Sequence, residues 1–145
     1  MVIGIIGENC TGKSTLAEAI RNITDAEVVT GKDYLRLAKS ENEARTLFKA
    51  KLKGAETGAH IIYVISEKEQ IGLLPQNAVR IVVTADLADI KERFRQRMHG
   101  NLPGPVEQML EKKHGMFDNA DYNIRYDSTH DNINDVIEKI SDMLS

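Results

Sequence analysis

Gly7-Glu8-Asn9-Cys10-Thr11-Gly12-Lys13-Ser14 is a complete G-x-x-x-x-G-K-S phosphate loop, the Walker A pattern. Val2-Ile3-Gly4-Ile5-Ile6, an apolar run of strand type, precedes it, and Leu16, Ala17, Ile20 and Ile23 follow at helical spacing. A strand therefore ends in a glycine-rich turn that opens a helix. The N–H groups of such a turn and the positive end of the helix together make an anion cradle. Gly7, Asn9, Cys10, Thr11 and Gly12 are expected to wrap the phosphates, with Thr15 beside the α-phosphate. Lys13 is expected to reach the β- and γ-phosphates, and the Ser14 hydroxyl to hold Mg²⁺. Nucleotide binding follows from motif and context together; the phosphate chemistry does not.

The chain of 145 residues predicts a single domain, 1–145. A formal net charge of −3 gives no global attraction to nucleic acid or to a membrane surface, and neither is expected as a partner. Cys10 is the sole cysteine, so intrachain disulfides and cysteine-rich zinc sites are excluded, which suits a reducing cytoplasm. Met1 leads straight into the first strand, leaving no room for a signal peptide, and no apolar run approaches the length of a membrane span. The expected state is a cytoplasmic monomer or homodimer.

Ala26-Glu27-Val28-Val29-Thr30 reads as a second strand, followed by Gly31-Lys32-Asp33-Tyr34. Parallel α/β sheets bind ligands beyond the carboxyl ends of their strands. Asp33 is thus expected near the phosphates, orienting an acceptor or ordering Mg²⁺ through water. The alternative is an N-cap on a helix starting at Tyr34. Ser40 and Glu43 form a capping box for a helix burying Ala44, Leu47, Phe48 and Leu52. Among the basic residues from Tyr34 to Lys53, Arg36 and Arg45 are the candidates for gripping an anionic acceptor, since arginine binds phosphate in a bidentate way. A break covers Gly54 to Gly58. His60-Ile61-Ile62-Tyr63-Val64-Ile65 then reads as a central parallel strand ending in Ser66-Glu67, one of which stands where many phosphate-loop proteins place a Mg²⁺-holding aspartate.

Val79 to Thr84 is the next strand. Asp86 and Asp89 start a helix with Leu87, Ile90, Phe94 and Met98 as its buried stripe. Arg93 and Arg97 lie four apart on a neighbouring face and precede Gly100-Asn101-Leu102-Pro103-Gly104-Pro105. An arginine-bearing helix, a hinge and a second helix from Val106 have the layout of a lid over a γ-phosphate. Asp121 to Tyr126 reads as a last strand with Tyr122, Ile124 and Tyr126 on one face. The loop after it places Ser128 and Thr129 near a nucleotide base, and Asp131 caps a terminal helix.

In the order of these parts the chain resembles the nucleoside monophosphate kinases among phosphate-loop proteins, and guanylate kinases most. The likeness rests on the phosphate loop, on Gln70-Ile71-Gly72 with Pro75 and Ala78, on Ile90-x-x-Arg93-Phe94-x-x-Arg97, and on Phe117-Asp118-Asn119-Ala120-Asp121-Tyr122-x-Ile124. It departs from that family in residues 31–58, which are too short for the family's acceptor domain, and at Ser66, Gln108, Met109 and Tyr126. The resemblance implies a three-layer α/β/α P-loop NTPase fold with a mainly parallel five-stranded sheet, an acceptor-binding region at 31–58 and a lid region at 93–118. It implies Mg²⁺- and ATP-dependent transfer of a phosphoryl group to a small acceptor, a nucleoside monophosphate first of all. Lys13, Arg93, Arg97 and Asp33 are the expected catalytic groups. The rival expectations are a nucleotide-binding module without transfer activity and a kinase for a nucleoside or other small alcohol.

Overall fold

The computed structural model describes residues 1–55 and 58–145. Five strands form one all-parallel sheet: β1 (Val2–Ile6), β2 (Glu27–Thr30), β3 (Ile61–Ile65), β4 (Val79–Thr84) and β5 (Ile124–Asp127), in the spatial order β2-β3-β1-β4-β5. The helices are α1 (Lys13–Thr24), α2 (Glu41–Gly54), α3 (Lys68–Ile71), α4 (Leu87–Arg97), α5 (Gly104–Lys113) and α6 (Ile133–Leu144), with a 3-10 turn at Asp33–Leu37. No helix among the described residues is long and apolar enough to cross a membrane.

Strands β1 and β3 are buried throughout, which is why they read as unbroken apolar runs. Their alternate side chains feed two cores. Ile3 and Ile5 join Leu16, Ala17 and Ile20 of α1 and Val136 and Ile140 of α6 on one face. Val2 and Ile6 join Phe48 and Leu52 of α2 on the other. Gly4 faces this second core, and a Cβ there would stand 2.5 Å from Leu74 Cδ1, so the glycine lets the chain at Leu74 close onto the sheet. Tyr34 stacks on Phe48 with centroids 5.2 Å apart, and Phe48 meets Tyr63 edge-on at 4.8 Å. This aromatic row fastens the segment after β2 to the sheet.

Several local expectations are corrected. Leu47 is half exposed, lying beside the stripe that α2 buries at Ala44, Phe48 and Leu52. Met98 ends the α4 stripe exposed. The last strand starts at Ile124, three residues late, and Tyr122 is half exposed: Asn123 N–H donates to Arg80 O, and the Asn123 side-chain carbonyl accepts from Arg80 N–H, so pairing with β4 begins only there. Asn132, not Asp131, caps α6, its side chain accepting from Asn134 N–H. Asp86 occupies the N-cap position of α4 without a side-chain cap bond. Ser40 caps α2 as expected, accepting from Glu43 N–H at 3.1 Å. The break expected at Gly54–Gly58 lies partly outside the described residues.

Candidate active site

The phosphate loop joins β1 to α1 at the carboxyl edge of the sheet, in the crevice between β1 and its neighbours β3 and β4. Gly7 N–H donates to Ile65 O, which pins the loop's first residue to β3. A Cβ at Gly7 would lie 2.6 Å from Val83 O and 2.9 Å from Thr11 Oγ1, so no other residue fits. Gly12 has φ +105, where glycine alone is relaxed. Cys10 adopts φ +63 and is buried against Ala85, Ile90 and Leu110, so α4 and α5 pack directly on the loop. The N–H groups of residues 8 to 14 donate to no described residue. Backbone donors held without partners at a helix N-terminus are the physical content of an anion cradle.

Lys13 is buried, and its ammonium folds back to donate to Gly7 O at 2.6 Å and Glu8 O at 2.7 Å. Burial lowers its pKa from 10.5 to about 8; Cys10 and Glu8 oppose the shift and the Arg97 guanidinium adds to it. The charge thus has neutral carbonyls for partners and, among the described residues, no carboxylate within salt-bridge distance, as suits a cation that changes partner when an anion arrives. Ser14 is exposed at the first turn of α1, and its hydroxyl bonds no described residue. Asn9 is likewise exposed. An accessible hydroxyl beside a free backbone cradle fits a Mg²⁺–polyphosphate donor.

On the β4–β5 flank of the loop a cavity of about 560 Å³ is lined by Cys10, Gly12, Thr15, Arg93, Gln96 and Arg97 together with Tyr126, Ser128 and Ile133. The expected lid arginines and the expected base loop therefore meet over the phosphate loop. Their roles differ. Arg93 Nη1 donates to Cys10 O and to Ser128 Oγ, both at 3.0 Å, while Ser128 Oγ donates to Thr11 O at 2.5 Å. Arg97 forms no ion pair or hydrogen bond with a described residue. The hydroxyls of Ser128 and Thr129, in the expected base loop, are engaged within the protein, the latter accepting from Asp86 N–H at 2.9 Å. A larger hollow of about 630 Å³ between α2 and residues 72–77 lies at the amino end of β4, remote from the phosphate loop.

On the β2–β3 flank, Asp33 is exposed at the start of the 3-10 turn and caps nothing, so the N-cap reading falls. Arg36 donates to Asp33 O, and Arg45 pairs with Glu41 at 3.0 Å on the solvent face of α2. Ser66 and Glu67 donate their N–H groups to Gln70 Oε1, which fixes the end of β3.

Two groupings were not legible in the sequence. Glu8, nearly buried, contacts His114 Nδ1 at 3.1 Å and accepts from Gly115 N–H at 3.2 Å. Its partners lie 106 and 107 residues away, beyond the reach of any local pattern. Asp86, Asp127 and His130 gather at the ends of β4 and β5. His130 Nδ1 meets Asp127 at 2.9 Å and Nε2 faces Asp86 at 3.6 Å, so the imidazole clamps the two loops together. The Asp127 hydrogen bond, with Asp86 behind it, raises the His130 pKa. Burial pushes the Asp127 carboxyl up, but the bonds from His130 and Thr129 N–H outweigh it and hold it below its ordinary value.

No family model matches the sequence, and no curated protein matches it. The structure is similar to a sugar kinase from Janibacter sp. HTCC2649, with TM-score 0.66 and 17% identity over 99% of this chain and 93% of that one. A deoxyadenosine kinase from M. mycoides with bound dATP gives 0.57 and 17% over 99% of each chain. A shikimate kinase from Acinetobacter baumannii gives 0.61 and 14% over 99% of this chain and 92% of that one. The chain has the fold of these P-loop kinases. The solved neighbours do not single out guanylate kinases.

Proposed function

We propose that the protein is a Mg²⁺-dependent kinase that transfers the γ-phosphoryl group of ATP to a hydroxyl of a small acceptor. The reading is carried by one observation: a loop of unpartnered N–H groups at a helix N-terminus stands beside two cations, Lys13 and Arg97, that pair with no carboxylate among the described residues. The loop N–H groups and Lys13 hold the phosphates, and Ser14 is the protein ligand of Mg²⁺. The metal supplies charge neutralisation on the phosphates when bound. Thr15, Gly12 and Ser128 line the base side. Arg97 supplies charge where it develops on the transferring group, and Arg93 holds the loop that shapes the site.

The acceptor follows from the β2–β3 flank. A nucleoside monophosphate needs guanidinium groups free to grip its phosphate. Arg45 is paired with Glu41, and Arg36 binds its own turn. Asp33, an exposed carboxylate at the end of β2, suits a hydroxyl better than a phosphate. Sugars, deoxyadenosine and shikimate, after which three structural neighbours are named, all carry hydroxyl groups.

ADP release across nucleosides, sugars, sugar acids, cyclic polyols and nucleoside monophosphates, with a no-acceptor control, tests this. Turnover that depends on an alcohol supports it. Turnover with nucleoside monophosphates alone returns the acceptor to the one the guanylate-kinase likeness implies. Tight Mg–ATP binding without turnover anywhere makes the protein a nucleotide-binding module.

A further inference from the structure

Transfer to a hydroxyl releases a proton. Lys13 and Arg97 are cations committed to phosphate charge and do not accept it. The base-side cavity on the β4–β5 flank holds no free carboxylate or imidazole in its lining. On the opposite flank of the loop, where β1 neighbours β3, Glu8 and His114 stand together.

Glu8 is tied into the phosphate machinery at both ends. Its backbone oxygen accepts from Lys13 Nζ at 2.7 Å and from Thr11 Oγ1 at 2.8 Å. Its carboxylate, 10% exposed, holds His114 Nδ1 and Gly115 N–H. Gly115, whose N–H makes one of these contacts, adopts a left-handed backbone. Gly115 has φ +83, and a Cβ there would lie 2.9 Å from Asp118 Oδ2. Lys113, the preceding residue, approaches Glu67 at the end of β3 at 3.9 Å. Among the described residues the charged group in contact with His114 is Glu8; Lys113 precedes it and reaches toward Glu67, Asp118 lies against Gly115, and Lys13 bonds the Glu8 backbone.

A carboxylate only accepts hydrogen bonds, so the contact with Glu8 requires the proton on Nδ1. The neutral imidazole then carries its lone pair on Nε2, which bonds no described residue. A carboxylate that fixes a histidine's tautomer and stabilises the imidazolium is the arrangement of a general base and its orienting partner. We propose that His114 is the proton acceptor of the transfer reaction and Glu8 its positioning residue, which makes the acceptor an alcohol. As the acceptor oxygen bonds to the γ-phosphorus, its proton passes to His114 Nε2. The bond from that phosphorus to the bridging oxygen breaks, and the nucleoside diphosphate leaves with the electron pair. Asp33 then orients the hydroxyl without taking its proton. This rests on the phosphotransfer reading above.

Two measurements test it. The first needs no turnover: two-dimensional ¹⁵N NMR of the imidazoles reports the tautomer. His114 is expected as the Nδ1–H form in the wild type, and Glu8→Gln is expected to change it, because the amide can donate to Nδ1. A wild-type Nε2–H tautomer, or no change in Glu8→Gln, overturns the proposal. The second is kinetic, with the alcohol found by the ADP-release screen or, without one, the slow hydrolysis of ATP by water. His114→Gln is expected to cut turnover by about 100-fold or more, to abolish the fall of rate on the acid side, and to leave Mg–ATP binding unchanged. Glu8→Gln gives a smaller loss of the same kind. Retained turnover in His114→Gln, or an acid limb that vanishes in Asp33→Asn instead, overturns the dyad and leaves the kinase standing. A wild type that binds Mg–ATP and turns nothing over removes both.

Discussion

Among the described residues the buried ammonium of Lys13 has only carbonyl partners, and holding a charge there opposes stability. Its pKa of about 8 in the folded chain lies below the 10.5 of an unfolded lysine. Between those values the unfolded state binds more protons, so stability rises with pH across the window. Relative to Lys13→Met, the wild type should gain about 3 kcal/mol from pH 8 to 10.5, read from denaturant unfolding at each pH. Parallel pH profiles for the two proteins would show that the ammonium is solvated in the folded chain. The same variant is expected to lose most of the stabilisation by Mg–ATP, which at 100-fold above the dissociation constant should be about 2.7 kcal/mol in the wild type. An undiminished ligand-induced shift of the melting temperature would exclude Lys13 as a phosphate ligand.

At the scale of elements, α4 carries two arginines that the sequence makes equivalent and the structure separates. Both sit one turn apart on the cavity wall. Arg93 is engaged with Cys10 O and Ser128 Oγ, so it joins the phosphate loop to the loop after β5. Arg97 carries a guanidinium that pairs with no described residue. Arg93→Ala is therefore expected to weaken ATP binding and lower the melting temperature together, since it unties two loops. Arg97→Ala is expected to cut turnover by about 10³-fold with ATP affinity changed only a few-fold, because charge used in the transition state leaves ground-state binding alone. Lysine at 97 should rescue poorly for want of the planar fork. Steady-state kinetics beside equilibrium binding separates the two patterns, and equal effects from both substitutions would put the arginines back in one role.

For the molecule as a whole, strand order sets the gradient of stability. β1 is central, paired to β3 and β4 and buried on both faces, whereas β2 pairs only with β3 and is largely exposed. Native-state hydrogen exchange should show the slowest amides in β1, β3 and β4, with β2 opening at lower free energy. Protection of β2 equal to that of β1 would mean that its free edge is covered in solution, as in a dimer joined through the sheet.

Local chemistry determined much of this. The phosphate loop, the continuous apolar strands and the Ser40 cap are spelled out within a few residues of one another, and each appears where its pattern places it. The sites of Gly7 and Gly12 follow the same rule, since backbone conformation is a short-range property. The boundary of β5 and the exposure of Leu47 and Tyr122 were not local. They depend on where Arg80 meets Asn123 and on which face of α2 the sheet and its aromatic row cover, contacts between segments far apart in the chain. The candidate site divides in the same way. Lys13 and Ser14 were legible because one turn of backbone positions them. The separation of Arg93 from Arg97 and the pairing of Glu8 with His114 were decided only by tertiary structure. Parallel strands with crossover helices bring the ends of β1, α5 and β5 to one edge, and no spacing in the sequence encodes that meeting.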